Sequence, residues 1–155
     1  RFLQHGDMSD LSESIDLYRA ALALCPSDHP NQSTSLNSLA SGLRQRFIQH
    51  GDMSDLSESI DLYRAALVHC PSDHPNQPTY LNGLASSLQQ KFLQHRDMSD
   101  LSESIDLCRA ALALCPPDHP DQSMSLNGLA SSLRNRYIQH GGMSDLSEST
   151  ELHQA

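Results

Sequence analysis

Histidine is the residue type in this chain that most suggests chemistry. Seven of the nine histidines fall into two evenly spaced series: His5, His50, His95 and His140, and His29, His74 and His119. A tight zinc site needs three or four ligands that converge within about 2.0–2.3 Å of one ion, whereas the members of each series are 45 residues apart. His69 and Cys70 are adjacent, so their side chains diverge on a helix. The spacing predicts no metal site, and the histidines support only the hypothesis of mild pH sensitivity near pH 6.

Catalytic arrangements are also weakly supported. Ser27, Asp28 and His29 have the residue types of a hydrolytic triad, but three consecutive residues in a turn cannot form the required relay. The chain contains no glycine-rich loop of the kinds that hold phosphates. Helix caps and solvated surface account for the carboxylates at Asp7, Asp10, Glu13 and Asp16. We predict that the protein is not an enzyme and needs no cofactor.

The cysteines do not form a disulfide framework. Cys25, Cys70 and Cys115 occupy the same position of a repeated pattern, which places them one repeat apart and beyond the reach of a disulfide. Cys108 and Cys115 lie about 10 Å apart along one predicted helix. We expect four free thiols that act as small apolar side chains in a reducing compartment.

The chain repeats one phrase. SDLSESIDLYRAAL begins at Ser9 and Ser54, recurs at Ser99 with Cys108 in place of tyrosine, and starts again at Ser144. A period of 45 residues lies within the roughly 20–50 residues of repeat architectures. We therefore predict a single array over residues 1–155, with repeats at about 1–45, 46–90 and 91–135 and a partial repeat at 136–155. The absence of capping helices predicts a segment of a longer protein whose open ends could associate with each other.

Each repeat contains two helical patterns. In the first, apolar residues recur at steps of three and four and predict a helix that is buried on more than one side: Leu11, Ile15, Tyr18, Leu22 and Cys25. Asp10 and Glu13 resemble a capping box at its start, and Pro26 marks its end. The second helix is expected to begin near His29–Pro30 and to bury Leu36, Leu39, Ala40, Leu43 and Phe47.

The connection HGDMSD is predicted to be a polar turn. Gly51 can take a positive φ there, whereas the third copy has Arg96, so that turn is either different or strained. Met8, Met53, Met98 and Met143 are expected to pack onto the helix that follows. Glycine and serine inside the second helix indicate a place where another helix or a ligand comes close.

Charge and hydropathy restrict the possible partners. The formal net charge is −9 and the pI about 5.3, which disfavours nucleic acids and anionic membranes as partners. No apolar run approaches the roughly 18 residues of a membrane helix, and the sequence shows no charged start followed by an apolar signal core. We expect a soluble, cytoplasmic protein.

Two motifs together resemble a known family. Tyr18-x-x-Ala21-Leu22-x-Leu24-x-Pro26, taken with Leu36-x-x-Leu39-Ala40-x-x-Leu43, resembles the tetratricopeptide repeat (TPR). DHPNQSTSLNSLASGL is similar to the repeats of kinesin light chains and of long fungal signalling proteins, in which such arrays are often attached to an effector domain. The period exceeds the usual 34 residues, and Ser14, Ser59 and Ser104 stand where the family usually has alanine. The resemblance implies an all-α, right-handed solenoid of antiparallel helix pairs.

The resemblance also implies a binding groove. Carried onto this sequence, its principal positions are Asn37, Ser41, Arg44, Asn82, Ser86, Gln89, Asn127, Ser131 and Arg134. Flanking positions are Thr34, Ser38, Gln45, Thr79, Gly83, Gln90, Met124, Gly128 and Asn135. Three asparagines one repeat apart could bond the backbone of a peptide regardless of its side chains. The alternative is that they are ordinary exposed polar residues.

Two functions fit this pattern. The first is a protein-binding module that holds a peptide or partner helix in the groove, with help from Arg44 and Arg134. The second is a structural spacer in a larger signalling protein, since nearly identical repeats set distance and curvature rather than recognition. The near-identity of the copies slightly favours the spacer.

Overall fold

The computed structural model describes residues 2–25, 31–70, 74–115 and 117–140, with side chains from Ser9 to Gln139 within those ranges. Six helices account for most of them: α1 (Phe2–Leu24), α2 (Gln32–His50), α3 (Met53–His69), α4 (Gln77–His95), α5 (Met98–Leu114) and α6 (Asp121–His140). No strand occurs in these ranges. The all-α fold class predicted from the sequence is confirmed. The chain divides into two compact units, one with α1 to α3 and one with α4 to α6.

Two tight turns connect packed helices, α2 to α3 and α4 to α5. At the first, Gly51 has φ 76° and donates its backbone N–H to the Phe47 carbonyl at 2.6 Å. At the second, Arg96 has φ 57° and donates in the same way to Phe92 at 2.7 Å. Arg96 therefore occupies the left-handed region that glycine tolerates best. Of the two alternatives that the sequence allowed for Arg96, the structure shows the strained one.

The starts of α3 and α5 differ from the predicted capping box. The N-cap residues are Asp52 and Asp97, and each carboxylate accepts a backbone hydrogen bond at 3.0 Å, from Ser54 and Ser99 respectively. Asp55, the counterpart of Asp10, is instead buried inside the first turn of its helix. The predicted capping role of this position is wrong, because the aspartate three residues earlier already has the extended backbone that an N-cap needs.

In the first repeat, the predicted start at Asp10 is wrong for another reason. α1 is continuous from Phe2 to Leu24, so Asp10 lies within the helix. Gly6 does not interrupt it, since a glycine in a helix costs only about 1 kcal/mol relative to alanine. The segment HGDMSD is thus helical in the first repeat and contains a turn in the second.

The prolines of the DHP segments do not begin helices. Pro75 and Pro120 lie in turns, and the helices that follow them begin at Gln77 and Asp121. The two helices therefore begin one or two residues after the predicted histidine–proline position, and Pro75 and Pro120 do not occupy their first turns. Pro30 lies outside the described residues.

Each unit has its own apolar cluster. In the first unit it contains Ile15, Leu39 and Leu43. In the second it contains Ala85, Phe92, Leu101, Ile105, Cys108, Leu129 and Leu133, with Met98 packed against it. Met98 confirms the predicted packing of the turn methionine onto the following helix. The side chains of Met8 and Met143 lie outside the described residues.

The small residues of α2 and α6 permit close helix packing. A Cβ added at Gly42 would lie 3.1 Å from Ile15 Cγ1, and one added at Gly128 would lie 3.1 Å from Cys108 Sγ. Both distances are shorter than ordinary van der Waals contacts. The sequence predicted that either another helix or a ligand comes close to the small residues. At Gly42 and Gly128 it is another helix.

The main apolar stripe of the first helical pattern is more deeply buried in α3 and α5 than in α1. Tyr63 and Cys108 are 2% and 1% exposed, whereas the equivalent Tyr18 is 38% exposed. Leu17 and Leu24 of α1 are 62% and 86% exposed. One face of α1 is therefore open to solvent.

Candidate functional site

An open cleft of about 450 Å³ lies between α4 and α6 in the second unit. It is lined by Ser86, Gln89, Ser123, Met124, Asn127, Gly128 and Ser131. Four of these are principal groove positions predicted from the sequence: Ser86, Gln89, Asn127 and Ser131. The structure therefore places these four together, and two flanking positions, Met124 and Gly128, join them.

The cleft lining carries no ionisable side chain. It offers hydroxyl and amide groups, which can donate and accept hydrogen bonds, and the thioether of Met124, which is 53% exposed. Such a surface can bind the alternating N–H and C=O groups of an extended backbone and one apolar side chain, without selecting for charge.

Gln89 connects the two walls of the cleft. Its Nε2 donates a hydrogen bond to the Gly128 carbonyl at 2.8 Å and another to Ser132 Oγ. The amide nitrogen of this predicted groove residue is thus used between α4 and α6. Gln89 shapes the cleft and positions its walls.

The three asparagines that were expected to bond a peptide backbone, Asn37, Asn82 and Asn127, have different environments. Asn82 is only 2% exposed. Its Nδ2 donates to Ser125 Oγ at 2.8 Å, while Ser125 Oγ lies 3.0 Å from Asn82 Oδ1. Asn127 is exposed and Asn37 is half-buried. Asn82 therefore differs from the expected open amide, since it pairs with a serine that the sequence reasoning did not single out.

Additional polar contacts fasten the second unit. Ser104 of α5 donates to the Ala85 carbonyl at 3.2 Å, and its hydroxyl lies 3.1 Å from Ser132 Oγ. Thr79 donates to the Asp121 carboxylate between α4 and α6. The sequence signal for Ser104 was its small side chain, which indicated close packing but not the hydrogen bonds, and Thr79 was expected only as a flanking groove position.

The arginines and the first-unit positions lie outside this cleft. On α2, Ser41 is exposed and Arg44 is half-buried, with its Nε lacking a hydrogen-bond partner. Arg134 of α6 is exposed and does not line the cleft. The cleft therefore forms without the charged contribution that the groove hypothesis assigned to arginine.

The cysteines are free thiols, as predicted. Burial raises the pKa of Cys108 to about 11, so this thiol stays protonated at neutral pH. Burial, followed by the negative charge of Asp121, raises the pKa of Cys115. A raised pKa lowers the fraction of thiolate at neutral pH, and the thiolate is the form that reacts or binds metal.

The described residues contain no group of three or more histidine, cysteine or acidic side chains that could hold a metal ion. Within the same ranges, no helix has the length and apolar character needed to cross a membrane.

Comparison with solved structures identifies the fold. A crystal structure from Podosopora anserina, of a protein assigned as a kinesin light chain with nearly identical TPR-like repeats, matches with a TM-score of 0.62 over 94% of this chain and 68% of that chain, at 16% identity. The chain has a TPR-like repeat fold. A single-substitution variant of that protein matches the array with a TM-score of 0.61 and 17% identity, over 93% of this chain and 67% of the other. No family model matches the array, and no curated protein does.

Proposed function

We propose that this TPR-like array is a non-catalytic interaction scaffold whose α4–α6 cleft binds an extended peptide segment of a partner protein. The observation that carries the proposal is the convergence of Ser86, Gln89, Asn127 and Ser131 on one open cleft. Groups that can both donate and accept suit a peptide backbone, which presents both kinds of group along its length.

The lining also indicates the kind of peptide. The chain as a whole is strongly acidic, but the cleft itself is uncharged. A peptide of low charge with one medium-sized apolar side chain near Met124 fits this combination. Basic residues that flank such a segment would add only weak, salt-dependent attraction to the acidic array.

Asn127 is the asparagine best suited to test the proposal, because it is exposed and lines the cleft. Replacement of Asn82 would remove a buried hydrogen-bond partner from Ser125, so a loss of binding there could reflect altered packing. Asn127→Ala is therefore a clearer test of binding than the replacement of Asn37, Asn82 and Asn127 together.

A displayed peptide library panned on the intact array tests this function. We expect the selected peptides to lose affinity for Asn127→Ala and to be blocked by Ser123→Trp, which places a large ring at the exposed edge of the cleft. The matched control is Ser102→Trp, an exposed serine on α5 away from the lining. Equal binding to all four proteins would rule out the cleft as the site.

The spacer is the second candidate, and the internal polar contacts favour it. Asn82 and Gln89, two predicted groove residues, use their amides to join α4 to α6. A structure that uses such groups for packing gains rigidity at the expense of recognition. If panning on the array enriches no peptide more than panning without the array does, the spacer function becomes the better explanation.

A further inference from the structure

Two histidines hold the backbone at the starts of α4 and α6 in the same manner. His74 Nδ1 accepts a hydrogen bond from the Asn76 backbone N–H at 3.1 Å, and His119 Nδ1 accepts one from the Asp121 backbone N–H at 3.1 Å. The first N–H groups of a helix lack partners within it. Asn76, the N-cap of α4, makes no side-chain capping bond. The imidazole of His74 thus bonds the backbone N–H of the N-cap residue itself and orders the chain that enters α4.

This bond depends on the protonation state of the ring. A neutral imidazole with its proton on Nε2 has a free acceptor at Nδ1, whereas both nitrogens of the imidazolium are donors. Histidine is the side chain whose ordinary titration falls between pH 5 and 8. Protonation therefore removes the bond and places two N–H donors opposite each other.

Near His119, the surroundings can compensate for that loss. The Asp121 carboxylate lies 3.9 Å from His119 Nδ1, so the protonated ring would gain a nearby acceptor with opposite charge. Thr79 of α4 donates to the same carboxylate, and the Cys115 thiol at the end of α5 lies within its electrostatic influence. Asp118 precedes the histidine in the turn and is exposed.

Near His74, none of the described residues supplies a corresponding carboxylate. Position 76 is asparagine where α6 has Asp121, and no carboxylate of the described residues forms an ion pair with His74. The ring instead stacks on Tyr80 at a centroid distance of 6.4 Å. Both histidines follow an aspartate in the sequence, Asp73 or Asp118.

We propose that His74 is an acid-sensitive latch for the first turn of α4, and that Asp121 makes the equivalent His119 latch of α6 insensitive. Mild acid then loosens the start of α4 while α6 remains ordered. The difference arises from one substitution between repeats, asparagine at 76 and aspartate at 121. This inference does not depend on peptide binding by the cleft.

Amide exchange measured by NMR on the intact chain at pH 7.5 and 5.5 tests the latch. After correction for intrinsic exchange, we expect the first-turn amides of α4 to lose about fivefold in protection at pH 5.5, the typical effect of one lost cap. His74→Asn, whose side-chain oxygen accepts at both pH values, should abolish this loss. His119→Asn is the matched control and should leave the α4 response unchanged.

The role of Asp121 has a separate test. Asp121→Asn should make the first turn of α6 lose protection at pH 5.5, and adding His119→Asn should restore it. An unchanged acid response of α4 in His74→Asn would overturn the latch. An α6 that remains insensitive in Asp121→Asn would overturn the compensation. Circular dichroism at pH 7.5 verifies that each variant is folded before the comparison.

Discussion

Arg46 and Asp55 form a two-point ion pair across the turn between α2 and α3. Arg46 Nε lies 2.8 Å from Asp55 Oδ2, and Arg46 Nη2 lies 3.0 Å from Asp55 Oδ1. This hydrogen bonding is the main cause of the raised pKa of the Arg46 guanidinium. In the next repeat, Lys91 Nζ is 3.5 Å from Asp100 Oδ1, and the buried Asp100 Oδ2 has no hydrogen-bond partner.

Lys91→Arg should therefore stabilise the second unit. A guanidinium can satisfy both carboxylate oxygens, whereas the ammonium of Lys91 reaches one at a long distance. We expect the free energy of unfolding in urea to rise by about 0.5–1.5 kcal/mol. The converse change Arg46→Lys should lower it by a similar amount, and a neutral result for both variants would contradict the explanation.

Arg96→Gly should also stabilise the chain. A non-glycine residue in the left-handed region costs about 1–2 kcal/mol. The Arg96 guanidinium lies 5.5 Å from the centroid of the Phe92 ring, and an exposed contact of this kind contributes about 0.5–1 kcal/mol. The strain exceeds the contact, so we expect a net gain of about 0.5–1 kcal/mol in urea denaturation.

Gly51 provides the matched control for that prediction. It has φ 76° and no atom within 4 Å of an added Cβ, so Gly51→Ala tests backbone strain without a steric clash. We expect this variant to unfold at lower urea concentration than the parent. If Gly51→Ala is harmless, the gain predicted for Arg96→Gly cannot be attributed to φ.

The caps Asp52 and Asp97 predict a defined pH dependence. Hydrogen bonds from the Ser54 hydroxyl and backbone N–H lower the pKa of Asp52, and those from Ser99 do the same for Asp97. Because the folded pKa is lower than the unfolded one, this stabilisation is present above the unfolded value of about 3.9. It is lost as pH falls through the folded pKa.

Asp52→Ala should accordingly unfold at lower urea concentration than the parent at pH 7 and pH 5. The difference should shrink as the pH falls below about 4. Asp52→Asn retains an acceptor that does not titrate, so it should retain most of the stability at neutral pH and lose less of it in acid. A constant difference between the parent and Asp52→Ala down to pH 2.5 would show that the cap is not coupled to protonation.

Sequence periodicity predicted the helices because burial repeats every three or four residues in them. Leu39 and Leu43 are buried as that pattern requires. Helix starts were less predictable, since Asp52 and Asp55 both have the chemistry of a cap and only backbone geometry distinguishes them. Repetition was also misleading: Tyr18 and Tyr63 have the same sequence context but different exposure.

The candidate cleft was predictable only in part. The resemblance to TPR repeats implied that Ser86, Asn127 and Ser131 share one surface, and these three line the cleft, whereas Arg44 and Arg134 do not. The resemblance could not show that Asn82 pairs with Ser125. These two residues are 43 positions apart in the sequence, and their bond depends on the distance between α4 and α6. Local sequence specifies which face a residue occupies, whereas packing decides whether its polar atoms remain available.

The Asn82–Ser125 pair predicts strong non-additivity in a double-mutant cycle. Ser125→Ala leaves the buried Asn82 amide without its serine partner, which should cost about 1–3 kcal/mol. After Asn82→Ala the Ser125 hydroxyl can still donate to the Asp121 carbonyl, so this change should cost less. The double variant removes both groups and should cost less than the sum of the single changes. Urea denaturation of the four proteins measures the coupling, with Asn127→Ala as the control because its amide is exposed. Strictly additive losses would mean that the two side chains do not depend on each other, and Asn82 could then be reconsidered as a group available to a ligand.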